Sequence, residues 1–262
     1  MKCSLLFFGT GASSGIPLIG CTCAVCTSHN PYNQRLRPSV LITVEEKTFL
    51  IDTGPDLRAQ ALTHHITKLD GVLFTHTHYD HIAGIDELRS FYLLNKEPLP
   101  VLLSKPTYDE LRVRYAYLFT EKSRDKSLTA QLNFSVLPSE RGTISFQGVN
   151  IQYLTYEQGG MKVSGFRLGN MAYLSDLNKY DETIFEDLDG VEVLVVSALR
   201  YAPSYMHLTV EEASAFAKKV GAKKTYLTHL SHEIEHEEAN KMLPEGICLS
   251  YDGLTIDFTV EA

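Results

Sequence analysis

Four side chains that commonly bind metal ions fall within six consecutive positions: His76, His78, Asp80 and His81. Side chains two residues apart in a strand point to the same side, so His76 and His78 can bind one metal ion. Asp80 and His81 fall in the turn that follows and can bind a second ion. Because these four residues rarely coincide at this spacing in an ordinary surface loop, the stretch predicts a centre for two metal ions.

Three cysteines form a second cluster in a segment rich in turn-forming residues: Cys21, Cys23 and Cys26. Three thiolates so close together predict one tetrahedral zinc ion that stabilises the fold and takes no part in chemistry. Its fourth ligand has two candidates, since His29 is near in sequence and His232 lies close to another predicted metal ligand. With five cysteines in all, the chain fits a metal site better than a disulfide framework.

Further candidates follow the ends of predicted strands. Asp52 can hydrogen-bond a metal-binding histidine and fix its tautomer, or cap the next helix. Asp176 ends an apolar strand and can bridge two ions, and His229 can complete the second metal position. His207 lies just before a helix start, where it is either a proton donor and phosphate contact or an ordinary exposed histidine.

Apolar periodicity predicts the elements that position these residues. The strand over residues 69–74 aims the histidine motif, and apolar side chains recur at helical spacing over 82–92. Several short strands are expected over 133–168, with turns at 141–142 and 159–160. The other predicted strands cover 3–8, 40–44, 48–51, 101–103, 171–174, 191–196, 224–227 and 254–260. The other predicted helices follow Pro55 and cover 108–119, 209–221 and 233–243.

Composition and charge set the limits of the prediction. With 262 residues, 44% of them apolar, we expect one domain over 1–262, with a cysteine-rich zinc loop at about 20–30. A formal net charge of −8 argues against a nucleic-acid-binding face. No apolar run could span a bilayer, and the first residues are typical of a strand rather than a signal peptide, so we expect a cytoplasmic protein. Residues 120–131 predict a solvated loop or a lid.

Eight short motifs together resemble the metallo-β-lactamase superfamily, and within it most of all the phosphoribosyl 1,2-cyclic phosphate phosphodiesterases. The resemblance spans nearly the whole chain, and the cysteine cluster makes it more specific than the histidine motif alone. It implies an α/β (α+β) fold, the αββα sandwich of two mixed β-sheets flanked by helices, with the metals at one edge of the sheets. The motifs lie at 9–11, 21–26, 35–39, 52–54, 76–81, 86–89, 175–176 and 228–232.

The resemblance also implies a set of ligands. Two catalytic divalent ions, manganese or zinc, would be bound by His76 and His78 at the first position and by Asp80, His81 and His229 at the second, with Asp176 bridging. A structural zinc ion would take Cys21, Cys23, Cys26 and His232. His207 matches a histidine implicated in leaving-group protonation and phosphate binding, and with Asp80 it is the candidate catalytic residue.

One position departs from that family. Its members carry a third histidine for the first metal, and Gln158 stands at that position here, with Glu157 beside it. A glutamine oxygen is a neutral, weaker ligand that suits a hard ion such as manganese, and Glu157 would be a better one if its loop turned inward. We therefore expect the first position to bind metal more loosely, so that the chain holds two catalytic ions or only one.

The predicted activity is hydrolysis of a small cyclic phosphodiester, with Arg37 or Arg89 steadying the phosphate or bracing a loop. Three alternatives stay open. The chain could be an RNA-processing nuclease of the same superfamily, for which residues 122–126 offer only a modest basic segment. It could be a non-catalytic, ligand-binding relative that has lost the first metal, or a thioester hydrolase or oxidoreductase with the same centre. A homodimer is an assembly that the sequence allows.

Overall fold

The structure, a computed structural model, describes residues 2–120 and 129–260, and in this part of the chain two seven-stranded sheets are packed face to face. The strands of the first sheet are β1 (Lys2–Gly9), β2 (Ser39–Val44), β3 (Lys47–Ile51), β4 (Gly71–Leu73), β5 (Leu99–Leu103), β6 (Leu132–Val136) and β14 (Thr255–Thr259). Those of the second are β7 (Arg141–Phe146), β8 (Val149–Gln158), β9 (Met161–Leu168), β10 (Met171–Leu174), β11 (Val193–Ser197), β12 (Lys224–Thr228) and β13 (Ile247–Leu249).

Both sheets are mixed and follow the same plan. The first has the order β14-β1-β2-β3-β4-β5-β6, and the second has the order β13-β12-β11-β10-β9-β8-β7. The pairs among β14, β1, β2 and β3, and among β7, β8, β9 and β10, are antiparallel, and the remaining pairs are parallel. Parallel neighbours end at the same edge of a sheet, so residues that follow such strands come together.

Helices cover the outer face of each sheet. On the first sheet lie α1 (Leu57–Thr63), α2 (Tyr79–Ile82), α3 (Arg89–Asn95) and α4 (Lys105–Arg114), and on the second lie α5 (Ile184–Asp187), α6 (Val210–Val220) and α7 (His236–Met242). Short 3-10 turns cover Pro31–Asn33, Ile85–Leu88 and Ala116–Phe119.

Alternating side chains build three apolar layers. In β1, Leu5 and Phe7 pack between the two sheets, whereas Phe8 packs against the helices of the first sheet. In β11, Val195 enters the layer between the sheets, and Val196 packs under the helices of the second. The predicted αββα sandwich is confirmed.

Three local predictions are corrected by the structure. The turn expected at 141–142 is wrong, because both residues belong to β7, where Gly142 pairs with Tyr153. A Cβ on Gly142 would lie 3.0 Å from the Tyr153 hydroxyl, so the glycine serves packing rather than a turn. The helix expected over 108–119 is α4 followed by a 3-10 turn. The final helix begins at 236, after Glu235 accepts a hydrogen bond from the Glu238 N–H at 2.8 Å.

The other predicted elements lie within a few residues of the observed ones, including the turn at 159–160, where both glycines have a positive φ. The Thr209 capping box of α6 is also present. Of the polar segment predicted as a loop or lid, residues 121–128 lie outside the described residues. In the described ranges, each helix is too short or too polar to cross a membrane.

Candidate metal centre

The carboxylate of Asp176 is the centre of a buried cluster of imidazoles. Its Oδ2 lies 2.7 Å from Nε2 of His81 and 3.3 Å from Nε2 of His76. Its Oδ1 lies 3.1 Å from Nε2 of His229 and 3.2 Å from Nδ1 of His207. Burial alone would raise the pKa of Asp176, but the imidazoles of His229 and His81 outweigh burial and hold that pKa well below its usual range.

The second predicted metal position brings together Asp80, His81 and His229. Oδ2 of Asp80 lies 3.2 Å from Nε2 of His229 and 3.4 Å from Nε2 of His81. Burial would lower the pKa of His81, but the carboxylates of Asp176, Asp80 and Asp52 outweigh it and raise that pKa well above its usual range. The carboxylates thus favour positive charge between them, which a divalent cation also supplies.

Asp52 fixes the tautomer of His81. The carboxylate is fully buried and accepts hydrogen bonds from the N–H and the hydroxyl of Thr75, at 2.8 and 2.7 Å. Nδ1 of His81 lies 2.7 Å from the same carboxylate, so Nδ1 carries the proton and donates it. The lone pair of Nε2 is therefore directed at Asp176 and Asp80, as a metal ligand requires.

The first predicted position is formed by His76 and His78. Nε2 of His76 lies 2.9 Å from Nδ1 of His78. Nδ1 of His76 lies 2.9 Å from the Thr75 hydroxyl oxygen, which already donates its proton to Asp52 and can therefore only accept. Nε2 of His76 is thus also left as a lone pair. A cation can take the place of the proton between these two nitrogens. The two histidines lie in the irregular segment after β4, since that strand ends at Leu73.

These residues fit the metal ions that the sequence predicts. In this centre, three groups of ligand atoms lie within 4.8 Å of one another: His76, His81 and Asp176; Asp80, His81 and His229; and Asp176, His207 and His229. In the described ranges, Nε2 of His81 and both oxygens of Asp176 have no hydrogen-bond partner. Buried groups of this kind need a partner, and a cation would supply it.

Three residues of the centre adopt a left-handed backbone conformation. The φ angles are +63° at Asp52, +55° at Asp176 and +61° at His229, each directly or nearly after a strand. A side chain in this conformation costs about 1–2 kcal/mol relative to the usual regions. The turn redirects each side chain from the strand end into the cluster. The local conformational cost is therefore associated with the positioning of the candidate ligands.

Gln158 and Glu157 lie on opposite faces of β8. Gln158 is 1% exposed, and its Nε2 lies 3.1 Å from Nε2 and 3.3 Å from Nδ1 of His207. Glu157 is exposed, and its backbone pairs with Lys179. Because side chains alternate along a strand, the expectation that Glu157 could turn inward is not met, and Gln158 alone reaches the centre.

The cysteine cluster gathers around His232 rather than His29. Sγ of Cys21 and of Cys23 lie 3.3 and 3.5 Å from Nδ1 of His232, and Cys26 completes a group whose ligand atoms lie within 4.8 Å. The Cys26 N–H and the His232 ring lower the pKa of Cys23 to about 6, which favours the thiolate that zinc binds. His29 is exposed and outside this group.

Sequence reasoning assigned no role of its own to Arg35, a fully buried cation. Its guanidinium donates to the carbonyl oxygens of Tyr32, Ser231 and Ile234, at 3.1, 3.2 and 3.0 Å. It therefore fastens the segment after the cysteine cluster to the loop that carries His229 and His232. The available signal was its place in the motif at 35–39, just before a predicted strand, since an arginine near a core strand needs polar partners.

The two arginines predicted to steady a phosphate are placed differently. Nε of Arg37 forms an ion pair with Asp56 at 3.0 Å, so this side chain braces the turn before α1. Arg89 is exposed at the start of α3. The bracing alternative is therefore the one that the geometry favours for Arg37.

Comparison with known proteins gives the family. Residues 47–230 match the family model of the beta-lactamase superfamily domain. The crystal structure of a new diphosphatase from the PhnP family is 37% identical, with a TM-score of 0.90 and 98% of both chains covered. The chain therefore belongs to the beta-lactamase superfamily and, at that identity and coverage, with the PhnP family. The predicted class, a hydrolase of the metallo-β-lactamase fold, is confirmed.

Two further relatives are named for activities other than that of a diphosphatase. Octanoyltransferase of Porphyromonas gingivalis is 34% identical over 257 residues, which are 97% of this chain and 51% of that protein. The chain thus spans about half the length of that relative. Ribonuclease Z of Methanopyrus kandleri is 25% identical over 260 residues, 86% of this chain and 93% of that protein.

Proposed function

We propose that the chain is a metal-dependent phosphodiesterase that hydrolyses a small, cyclic phosphodiester. The observation that carries the proposal is the Asp176 carboxylate with four imidazole nitrogens within 3.3 Å, flanked by Asp80 and His78. This is the donor set of a centre for two divalent ions, and such centres suit in-line displacement at phosphorus.

The proposed ligands are those that the family resemblance implies. The short distances around Asp176 support them, and His78 joins the set through its contact with His76. The first ion, manganese or zinc, is assigned to His76, His78 and Asp176, and the second to Asp80, His81, His229 and Asp176. When bound, the two ions supply charge neutralisation for the phosphate and a water molecule ionised near neutral pH. A structural zinc ion is assigned to Cys21, Cys23, Cys26 and His232.

His207 is the residue we assign to the leaving group. Its ring is held at Nδ1 by Asp176 at 3.2 Å, and its side chain is 13% exposed, so it borders the entrance rather than the buried floor. A histidine at the rim of such a site can pass a proton to a departing oxygen. Asp80 is assigned a role as a ligand of the second ion and as a negative charge beside it.

The substrate space next to the centre is limited. A cavity of about 480 Å3 is lined by His76 and Thr77 from the motif, Thr107 and Glu110 from α4, and the turn at 159–160. That volume suits a small molecule. A cavity of about 630 Å3 lies elsewhere, lined by Arg167 and Glu192 among others, and includes none of the proposed metal ligands. With a net charge of −8, a nucleic acid is the less favoured substrate.

A second candidate substrate is a phosphoanhydride, because the 37% identical relative is described as a diphosphatase. Either bond is cleaved by displacement at phosphorus, and the two substrates differ in the leaving group that His207 would face. Ribonuclease Z, at 25% identity, keeps an RNA substrate as the third possibility.

The experiment is hydrolysis measured with bis-(p-nitrophenyl) phosphate, a cyclic sugar phosphate, a dinucleoside diphosphate and a short RNA. The protein is first stripped of metal and then supplied with manganese or zinc. We expect turnover of the cyclic phosphodiester that is lost in Asp176→Asn and kept in the matched control Asp70→Asn, whose carboxylate pairs with Lys47 and Lys68 away from the centre. Selective turnover of the dinucleoside diphosphate would show that the substrate is a phosphoanhydride rather than a cyclic phosphodiester. No turnover with either metal would favour the non-catalytic alternative.

Two broader predictions accompany this function. We propose a cytoplasmic location, because a zinc-binding thiolate cluster persists in a reducing compartment. We also propose that the binding partner is a small phosphorylated substrate. Whether the chain forms a homodimer is to be tested by light scattering.

A further inference from the structure

We propose that the side-chain oxygen of Gln158 binds the ion of the first metal position, together with His76 and His78, and does not bind the second ion. This ligand makes the first position selective for a hard ion such as Mn²⁺. The inference rests on the two-ion centre of the proposed function and deepens it, because it assigns different metal preferences to the two positions.

The amide of Gln158 is buried and only half satisfied. Its Nε2 faces the ring of His207 at 3.1 Å, whereas its Oε1 has no hydrogen-bond partner among the described residues. A buried carbonyl oxygen without a partner is unfavourable, because it has lost its hydrogen bonds to water. With the nitrogen held by His207, the oxygen is the free end of the amide and needs a cation or a water molecule.

The turn that follows Gln158 lies beside the first position, because Gly159, Gly160 and Met161 line the same cavity as His76 and Thr77. Gln158 pairs with Met161 at the end of the β8–β9 hairpin, and Sδ of Met161 lies 4.0 Å from the hydroxyl oxygen of Thr77. Thr77 stands between His76 and His78. The same hairpin is anchored by a hydrogen bond from the Ser164 N–H to the Thr75 carbonyl at 2.9 Å.

The two positions then differ in charge and in donor type. The second position has a carboxylate of its own, Asp80, and the imidazoles of His81 and His229. The first has two imidazoles and the neutral oxygen of Gln158, with Asp176 shared. A neutral oxygen is a weaker donor than imidazole toward Zn²⁺ and suits harder ions such as Mn²⁺. The first position is therefore the weaker one, and replacing its amide should change its metal preference.

The test is metal binding to the full chain from which the catalytic ions have been removed by dialysis. Isothermal titration gives the number and affinity of the sites for Mn²⁺ and for Zn²⁺. The electron paramagnetic resonance signal of Mn²⁺ separates a coupled pair of ions from a single ion. The wild type is expected to bind two Mn²⁺ ions as a coupled pair.

Four variants define the outcome. Gln158→Ala should weaken one Mn²⁺ site by about tenfold or more and leave the signal of a single ion. Gln158→Glu, which keeps shape and oxygen, should tighten Mn²⁺ binding, and Gln158→His should shift the weaker site toward Zn²⁺. The control is Gln152→Ala, an exposed glutamine on the same strand, which should match the wild type.

The results separate this inference from the proposed function. If Gln158→Ala binds a coupled Mn²⁺ pair with wild-type affinity, Gln158 is not a ligand and the inference fails while the two-ion centre stands. If the wild type binds no ion beyond the structural zinc, the proposed function fails with it. Gln158→Glu keeps the test decisive where the alanine variant does not fold, because unchanged Mn²⁺ affinity in Gln158→Glu also contradicts the inference.

Discussion

Replacing Asp52 with asparagine should weaken the second metal position without unfolding the protein. One carboxylate oxygen of Asp52 accepts the Thr75 N–H, and the other accepts the Thr75 hydroxyl and the His81 Nδ1–H. In Asp52→Asn the first contact survives, and an NH₂ group replaces the second oxygen. That group donates to Nδ1 of His81, which moves the ring proton to Nε2, the nitrogen that faces Asp176. A protonated Nε2 cannot bind a metal ion.

The size of the effect follows from these contacts. Loss of the partner that orients a metal-binding histidine lowers metal affinity about 10- to 100-fold, or about 1.4–2.7 kcal/mol. The free energy of unfolding of the metal-free protein should fall by about 1–2 kcal/mol, because the two charge-assisted hydrogen bonds of the second oxygen are replaced by neutral contacts. Asparagine also tolerates the left-handed φ of +63° at this position, so the backbone adds no penalty.

The assay combines isothermal titration of metal with thermal unfolding of the metal-free protein. We expect one weakened metal site and a Tm lowered by about 2–8 °C, given about 2–4 °C per kcal/mol in domains of this size. Asp70→Asn, a strand-end carboxylate that accepts the Thr48 N–H at 3.0 Å, is the matched control. Unchanged affinity at both positions in Asp52→Asn would refute the assignment of the His81 tautomer.

Four other changes have distinct outcomes. Arg35→Met leaves three buried carbonyl oxygens without their donor, so the free energy of unfolding should fall by about 3 kcal/mol or more in denaturant titration, and Arg35→Lys by less. Cys23→Ser should remove one zinc ion per chain by elemental analysis and lower the Tm. His207→Ala should lower kcat about 10²- to 10⁴-fold with unchanged metal content, whereas lost metal would make His207 a ligand. Burial and the charge of Arg35 lower the pKa of His236 to about 4. The stability that its neutral ring provides is therefore present above pH 6.5 and is lost as the pH falls toward 4. His236→Phe should reduce this change in the free energy of unfolding by about 1–2 kcal/mol in unfolding curves.

The sequence predicts the side chains of the centre better than their geometry. His76 and His78 can be paired from strand spacing alone, and Asp176 and His229 can be named because each follows an apolar strand. The left-handed turns at Asp52, Asp176 and His229 cannot be predicted in this way, because tertiary contacts offset their local cost.

Contacts between segments far apart in the sequence were also out of reach. The bond between Gln158 and His207 joins a strand end to a loop 49 residues later, and no local pattern links them. The role of Gly142 was misread because a glycine in a strand can serve close packing as well as a turn. The fold class was predictable because alternating apolar residues, as in β1, and a strand that is apolar on both faces, as in β11, specify the layers directly.

The most direct test of the two-ion centre is a crystal structure of the metal-reconstituted protein with anomalous diffraction at the manganese and zinc absorption edges. The account predicts three ions: zinc among Cys21, Cys23, Cys26 and His232, and two ions on either side of the Asp176 carboxylate. A single zinc peak at the cysteine cluster, with no ion bound to Asp176, would contradict it.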